Sequence, residues 1–272
     1  MKRTSFLFCC LFFLSCGNDD PQPIDINTPN VTPTEPVGSG NNDVLIWSEE
    51  FDYEGEPDSK VWTIETGNGD WGWGNGEVQY YRDENLSVSD GTLKITTKKE
   101  KYDGFDYTSG RMKTQGNFSF RYGKAEIRAK LPASQGTWPA IWLLGNSYSS
   151  IGWPFCGEID IMEQRGQMED KSYVLGTVHW DANGNASHSV DSAPVEKLSS
   201  EWHVYTLLWT DKSIKISIDD QDYYRINTND SMPFYAPFFF IVNVAMGGTL
   251  GGDIDPNFTE DVMEIDYIRV YQ

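Results

Sequence analysis

Apolar side chains recur at every second position in several short segments of the chain. Ala125, Ile127, Ala129 and Leu131 alternate with Lys124, Glu126, Arg128 and Lys130. Ile214, Ile216 and Ile218 alternate with Ser and Lys, and Asp219-Asp220-Gln221 then turns the chain back. Leu93-Ile95-Thr97 repeats the pattern after a turn at Asp90-Gly91. A period of two places alternate side chains on opposite faces of a β-strand. Phe238 to Ala245 is apolar throughout except at Asn243, as in a strand covered on both faces, and Glu264 to Tyr271 closes the chain as another strand. No long segment has helical periodicity. Short strands punctuated by Gly, Pro, Asn and Asp predict an all-β fold. We expect a two-sheet antiparallel β-sandwich of jelly-roll type, curved so that one outer face forms a concave cleft.

The pattern fails at the N-terminus. Lys2 and Arg3 precede a short apolar run, Phe6 to Leu14, which is too short to span a membrane. We therefore expect a signal segment at 1–15. Leu14-Ser15-Cys16-Gly17 resembles a bacterial lipoprotein signal, with Cys16 as the lipidated residue. The following Asn18-Asp19-Asp20 resembles the surface-export signal of Bacteroidetes lipoproteins. These features imply an outer-membrane lipoprotein tethered by acyl chains and facing the exterior. Residues 16–42 are rich in Pro, Asn, Thr and Asp and read as a flexible linker. Residues 43–272 are then one β-domain, expected to act as a monomer. Beyond the N-terminal segment Cys156 is the one cysteine left, so no internal disulfide is expected, and it reads as a small buried packing residue.

One strand-like segment breaks the hydrophobic rule. In Glu158-Ile159-Asp160-Ile161-Met162-Glu163 three carboxylates alternate with residues that belong in a core. A regular strand puts Glu158 and Asp160 on one face and throws Glu163 to the other. One extra residue, a β-bulge, restores Glu163 to the carboxylate face, and such bulges are enriched beside active sites. Five strand steps set the two Glu backbones ~13 Å apart or somewhat closer, and side chains leaning together can reach the ~5–5.5 Å that retaining glycosidases use. A calcium site would draw its acids from a loop with Gly and Asn, whereas these alternate with Ile. A carboxylate pair with split roles is what cleavage of a glycosidic bond requires.

Composition narrows the partner. The formal net charge is −20, and loss of Lys2 and Arg3 lowers it further. Such a chain repels nucleic acid and disfavours sulfated polysaccharides and acidic membranes. A neutral polymer suits it better. Aromatics make up 14% of the residues, with ten Trp, and several lie in loops where a ring must pack or bind.

The acidic run resembles the signature of glycoside hydrolase family 16, and the resemblance extends in order from about residue 44 to 272. It includes Trp47 to Asp52, Gly74 to Tyr81, Ser109-Gly110-Arg111, Tyr122 to Ala129, Gly136 to Gly145, Thr177 to Trp180, Asn243 to Gly248 and Ile265 to Tyr271. It implies the concanavalin A-like sandwich and a retaining endo-β-glucanase acting on β-1,3(4)-glucan, whether mixed-linkage glucan or laminarin. The bulged spacing favours that group over enzymes restricted to mixed-linkage glucan. An agarase-like galactanase of the same fold and a non-catalytic glycan-binding lipoprotein are the alternatives. Association with glycan-uptake proteins is left open.

Residue by residue, the resemblance implies Glu158 as nucleophile, Asp160 as helper and Glu163 as general acid/base, with no cofactor for catalysis. Like charges this close repel, so one carboxylate holds a proton near neutral pH. Trp138 is expected to stack on sugar beside the acids, and Trp142 fits core and cleft alike. Trp71 and Trp73, in a Gly-rich loop, are expected to stack on substrate. Asn75, Glu77, Tyr81 and Arg111 match family positions that hydrogen-bond sugar hydroxyls, with loop-tethering as the alternative. His179 matches an active-site histidine. Asn243 would be costly if left unpaired in its apolar strand, which favours a cleft-facing role. Glu50, Gly91 and Asp266 match segments that supply a structural calcium in many family members.

Overall fold

The computed structural model describes residues 44–167 and 172–272. The expected signal segment 1–15, Cys16 and the linker to residue 42 lie outside the described residues. Among these residues the strands form two sheets. The larger has ten strands. Its main path runs Gln221–Asn227, Ser213–Ile218, His203–Trp209, Gly123–Lys130, Glu260–Tyr271, Thr92–Lys98, Tyr107–Ser109 and Gln79–Tyr81. Leu45–Glu49 adds to Glu260–Tyr271, and Leu86–Ser89 adds to Thr92–Lys98. The smaller has seven strands, in the order Ala186–Pro194, Tyr173–Asp181, Glu158–Gln164, Thr137–Gly145, Phe238–Met246, Arg111–Lys113 and Thr63–Ile64.

Every strand expected from the alternation is present. The Asp90-Gly91 and Asp219-Asp220 turns have both residues at positive φ, as tight two-residue hairpin loops demand. The expected antiparallel sandwich is present, with one parallel pair in the larger sheet, Gln79–Tyr81 against Tyr107–Ser109. Two short strands reached by loops from elsewhere in the fold carry no hairpin constraint on their direction.

The core lies between the sheets. The smaller sheet contributes Ile141, Leu143, Ile159, Ile161, Met162, Val178, Phe240, Val242 and Val244, and the larger Leu93, Ile95, Ala125, Ile127 and Ile268. Burying each Ile or Leu removes enough apolar surface to stabilise the fold by roughly 1.5–3 kcal/mol. Phe238–Met246 is buried at every position. Its outward Phe239 and Ile241 pack with Leu144 and Cys156 in a second apolar cluster, which explains the unbroken hydrophobic run. Cys156 is a buried free thiol, pushed up to about 11 by burial and then by Glu158, and so is inert as a nucleophile.

Candidate active site

Period two determines which side chains leave the core. In Thr137–Gly145 the outward residues are Trp138, Ala140, Trp142 and Leu144, and in Tyr173–Asp181 they are Leu175, Thr177 and His179. The strand between them matches both sets. Glu158 pairs with Leu144 and His179, Asp160 with Trp142 and Thr177, and Glu163 with Ala140 and Leu175. Three steps along the catalytic strand from Asp160 to Glu163 therefore match two steps on each neighbour. That is the bulge, and it brings all three acids to the outer face. Ile161 and Met162 both turn into the core, fully buried. The Tyr223 hydroxyl donates to the Ile161 carbonyl and satisfies a backbone acceptor within the bulge.

The outer face carries a cleft of about 640 Å³ that crosses the strands. It runs from Glu65, Arg111 and Lys113, over the three acids, to His188 and Val190. His179 Nε2 lies 3.3 Å from Asp160 Oδ2 and 3.6 Å from Glu158 Oε1. The Trp138 indole N–H donates to Glu163 Oε1 at 2.9 Å. Burial pushes all three carboxyls above their ordinary range. Asp160 pushes Glu158 further up and Glu163 pushes Asp160 further up, by like-charge repulsion. His179 opposes this at Glu158, and the Trp138 hydrogen bond opposes it at Glu163. The set titrates as a unit and retains a proton at pH values where exposed carboxylates have lost theirs.

That distribution suits double displacement. Glu158, the expected nucleophile, is the acid whose anion His179 favours. Glu163, the expected general acid/base, accepts from Trp138 through Oε1, so Oε2 is the oxygen left for the proton that role requires. Asp160 sits between them. Each group is a protein side chain, and the two-step reaction requires no cofactor.

The remaining expected residues divide. Asn75, Glu77, Trp73, Arg111, Trp138, Trp142, His179 and Asn243 all line the cleft. Asn243 joins two of them, since its Oδ1 accepts from Trp142 Nε1 at 2.8 Å while its Nδ2 donates to Tyr81 Oη at 3.1 Å. Glu77 accepts from Asn75, Gln79 and Tyr81. Tyr81 is fully buried behind this wall and touches no substrate space, which corrects its expected role as a direct sugar contact. Trp71 is 76% exposed and lies outside the cleft lining that its loop neighbours Trp73 and Asn75 join. Trp138 is only 7% exposed, and its nearest role is to hold Glu163 rather than to offer a broad stacking face.

The sequence did not point to Glu65. Its carboxylate accepts from Arg111 Nε and Lys113 Nζ, each at 2.6 Å. Burial raises its pKa, but Arg111 and Lys113 outweigh that and hold it below the usual range. The Arg111 guanidinium is sandwiched at 4.3 Å from the Trp73 ring and 5.0 Å from Trp142. Lys113 was recoverable, being two residues from Arg111 on the same strand face. Glu65 and His188 were not, because their neighbours are brought to them only by strand pairing.

Of the residues expected to supply a structural calcium, Gly91 could offer only its backbone carbonyl, while the Glu50 carboxylate pairs with Arg269 at 2.7 Å and that of Asp266 pairs with Arg128.

Comparison with known proteins agrees with this geometry. The family model described as "Glycosyl hydrolases family 16" matches residues 68–269. A β-glucanase of Rhodothermus marinus is 42% identical over 84% of this chain and 85% of its own length. The laminarinase catalytic domain of Thermotoga maritima superposes with a TM-score of 0.77 at 42% identity, covering 84% of this chain and 98% of that one. The LamA enzyme of Zobellia galactanivorans, solved with laminaritriose and laminaritetraose, gives a TM-score of 0.79 at 42% identity over 85% and 99% of the two chains. With its acids, bulge and cleft in place, the chain belongs to glycosyl hydrolase family 16.

Proposed function

We propose that the protein is a retaining endo-β-glucanase that hydrolyses internal bonds of β-1,3 and mixed β-1,3/1,4 glucan. The observation that carries this reading is the shared outward face of Glu158, Asp160 and Glu163 at the floor of a cleft that crosses the sheet. A polymer laid across the strands passes over the acids with sugar-sized space on both sides of them. The β-glucanase, laminarinase and laminari-oligosaccharide relatives support the substrate class. Incubation with laminarin, barley β-glucan, agarose and xyloglucan, read by new reducing ends, tests it. We expect cleavage of the two glucans with the β-anomer formed first by NMR. Activity on agarose alone would replace the reading with a galactanase, and binding without cleavage would replace it with a glycan-binding protein.

We also propose that Cys16 carries the lipid that tethers the enzyme to the outer membrane, facing the exterior. The signal-like residues 1–15 and the acidic Asp19-Asp20 support this. Replacement of Cys16 by Ala should release the protein from membrane fractions, and unchanged membrane association would sink the idea.

A further inference from the structure

The catalytic floor also brings together three side chains able to act as metal donors. Glu158, Asp160 and His179 each offer one ligand atom, and the three atoms lie within 4.8 Å of one another. The two separations from His179 Nε2 are 3.3 Å to Asp160 Oδ2 and 3.6 Å to Glu158 Oε1. A tetrahedral Zn²⁺ with bonds of ~2.0–2.1 Å requires its ligand atoms about 3.3–3.4 Å apart. Those atoms therefore stand close to a tetrahedral edge already. Asp160 is only 4% exposed, and apart from the 3.3 Å contact with His179 Nε2 its Oδ2 makes no hydrogen bond among the described residues. A buried carboxylate oxygen held by that one contact is under-satisfied, and a cation relieves the cost directly.

We propose that this cluster is a binding site for a borderline transition-metal ion, Zn²⁺ or Cu²⁺, and that occupancy reversibly blocks the enzyme. The donor chemistry selects the metal. One imidazole and two carboxylates suit Zn²⁺ and Cu²⁺, whereas Ca²⁺ takes six to eight oxygens at longer distance and Mg²⁺ demands an oxygen octahedron. Three protein ligands leave a fourth position facing the cleft, since the Glu158 and His179 side chains are partly open to it. The bound ion takes the lone pairs with which Glu158 would attack carbon. It also lies where the sugar at the cleavage point must sit, so metal and substrate exclude each other. Glu163 is not a ligand. His188 stacks obliquely near His179, with ring centroids 5.7 Å apart, and makes an imidazole pair the competing location.

The test titrates the full-length protein with Zn²⁺ by calorimetry and with Cu²⁺ by EPR. We expect one ion per chain and nitrogen superhyperfine splitting from a single imidazole. Affinity should fall at least ~10-fold in His179→Ala, Asp160→Asn and Glu158→Gln, stay within about threefold in Glu163→Gln, and survive His188→Ala. Circular dichroism identifies any variant that has lost its fold, and the remaining substitutions then decide. Zn²⁺ inhibition of laminarin hydrolysis should be competitive and reversed by EDTA. Absence of binding at about 1 mM Zn²⁺ would overturn the proposal. So would binding that Asp160→Asn keeps and His188→Ala abolishes, because it would place the ion on the imidazole pair. Metal binding is read without substrate, so a protein that bound Zn²⁺ yet cleaved no glucan would sink the hydrolase reading and leave this one standing.

Discussion

Trp138 holds Glu163 by a single hydrogen bond of 2.9 Å from its indole N–H to Oε1, across two adjacent strands. Strand pairing places Glu163 opposite Ala140, so the indole reaches it diagonally from two residues further along the neighbouring strand. A diagonal contact of this length is within the reach of a large aromatic side chain. The bond fixes the plane of the carboxyl group, and with it the direction in which the acid's proton points.

Replacement of Trp138 by Phe keeps the ring and removes the donor. Turnover should fall by roughly 10-fold or more with a smaller change in KM, because a misdirected general acid loses transition-state rather than ground-state interaction. The N–H bond lowers the Glu163 pKa, so its loss raises it. The acid must be protonated to work, and the alkaline limb of the pH–rate profile should therefore move to higher pH. A limb that stays in place or moves down would show that Trp138 does not tune Glu163.

Tyr223 reaches the bulge from the opposite sheet. Tyr223→Phe leaves the Ile161 carbonyl without that donor, in a site where both residues are buried. An unpaired buried acceptor costs about 1–3 kcal/mol, which urea denaturation would read. Turnover should fall with it, since the bulge is what aims Glu163. Wild-type stability and turnover together would mean that the bulge holds without this bond.

Asp160 trades stability for chemistry. Its pKa is raised, first by burial and then by Glu163, so the folded protein binds a proton more tightly there than the unfolded chain does. Stability then falls as pH rises from the unfolded value, ~3.9, toward the folded one. Asn at 160 removes that dependence. The Asp160→Asn variant should be more stable than wild type at pH 7, with the gain vanishing near pH 4. Its activity should drop at the same time. A lower melting temperature at pH 7 would show that the native carboxylate is fully compensated.

How much of this was legible beforehand depends on how far each feature reaches along the chain. Alternation is local, and it predicted the strands Thr92–Lys98, Gly123–Lys130 and Ser213–Ile218. The spacing of Glu158, Asp160 and Glu163 is also local. Period two alone demanded a bulge to bring the third acid round, and the register shifts on both neighbouring strands show it. Trp138 was flagged as a ring expected to stack on sugar beside the acids, and Asn243 because an amide inside an apolar strand needs a partner.

The partners themselves were decided by the tertiary structure. Arg111 finds Glu65 across 46 residues of sequence, and Asn243 finds Tyr81 across 162. Nothing in either residue's own neighbourhood specifies the other, because the contact exists only once strands distant in sequence lie side by side. The same holds for Tyr81, whose motif suggested the cleft and whose position behind Glu77 and Asn243 removed it. Trp71 and Trp73 share a Gly-rich loop, yet only Trp73 joins the cleft wall. Sequence periodicity determines which face a side chain occupies, since that is a property of a single strand. What that face meets depends on sheet order, which is settled by how the whole chain buries its apolar surface.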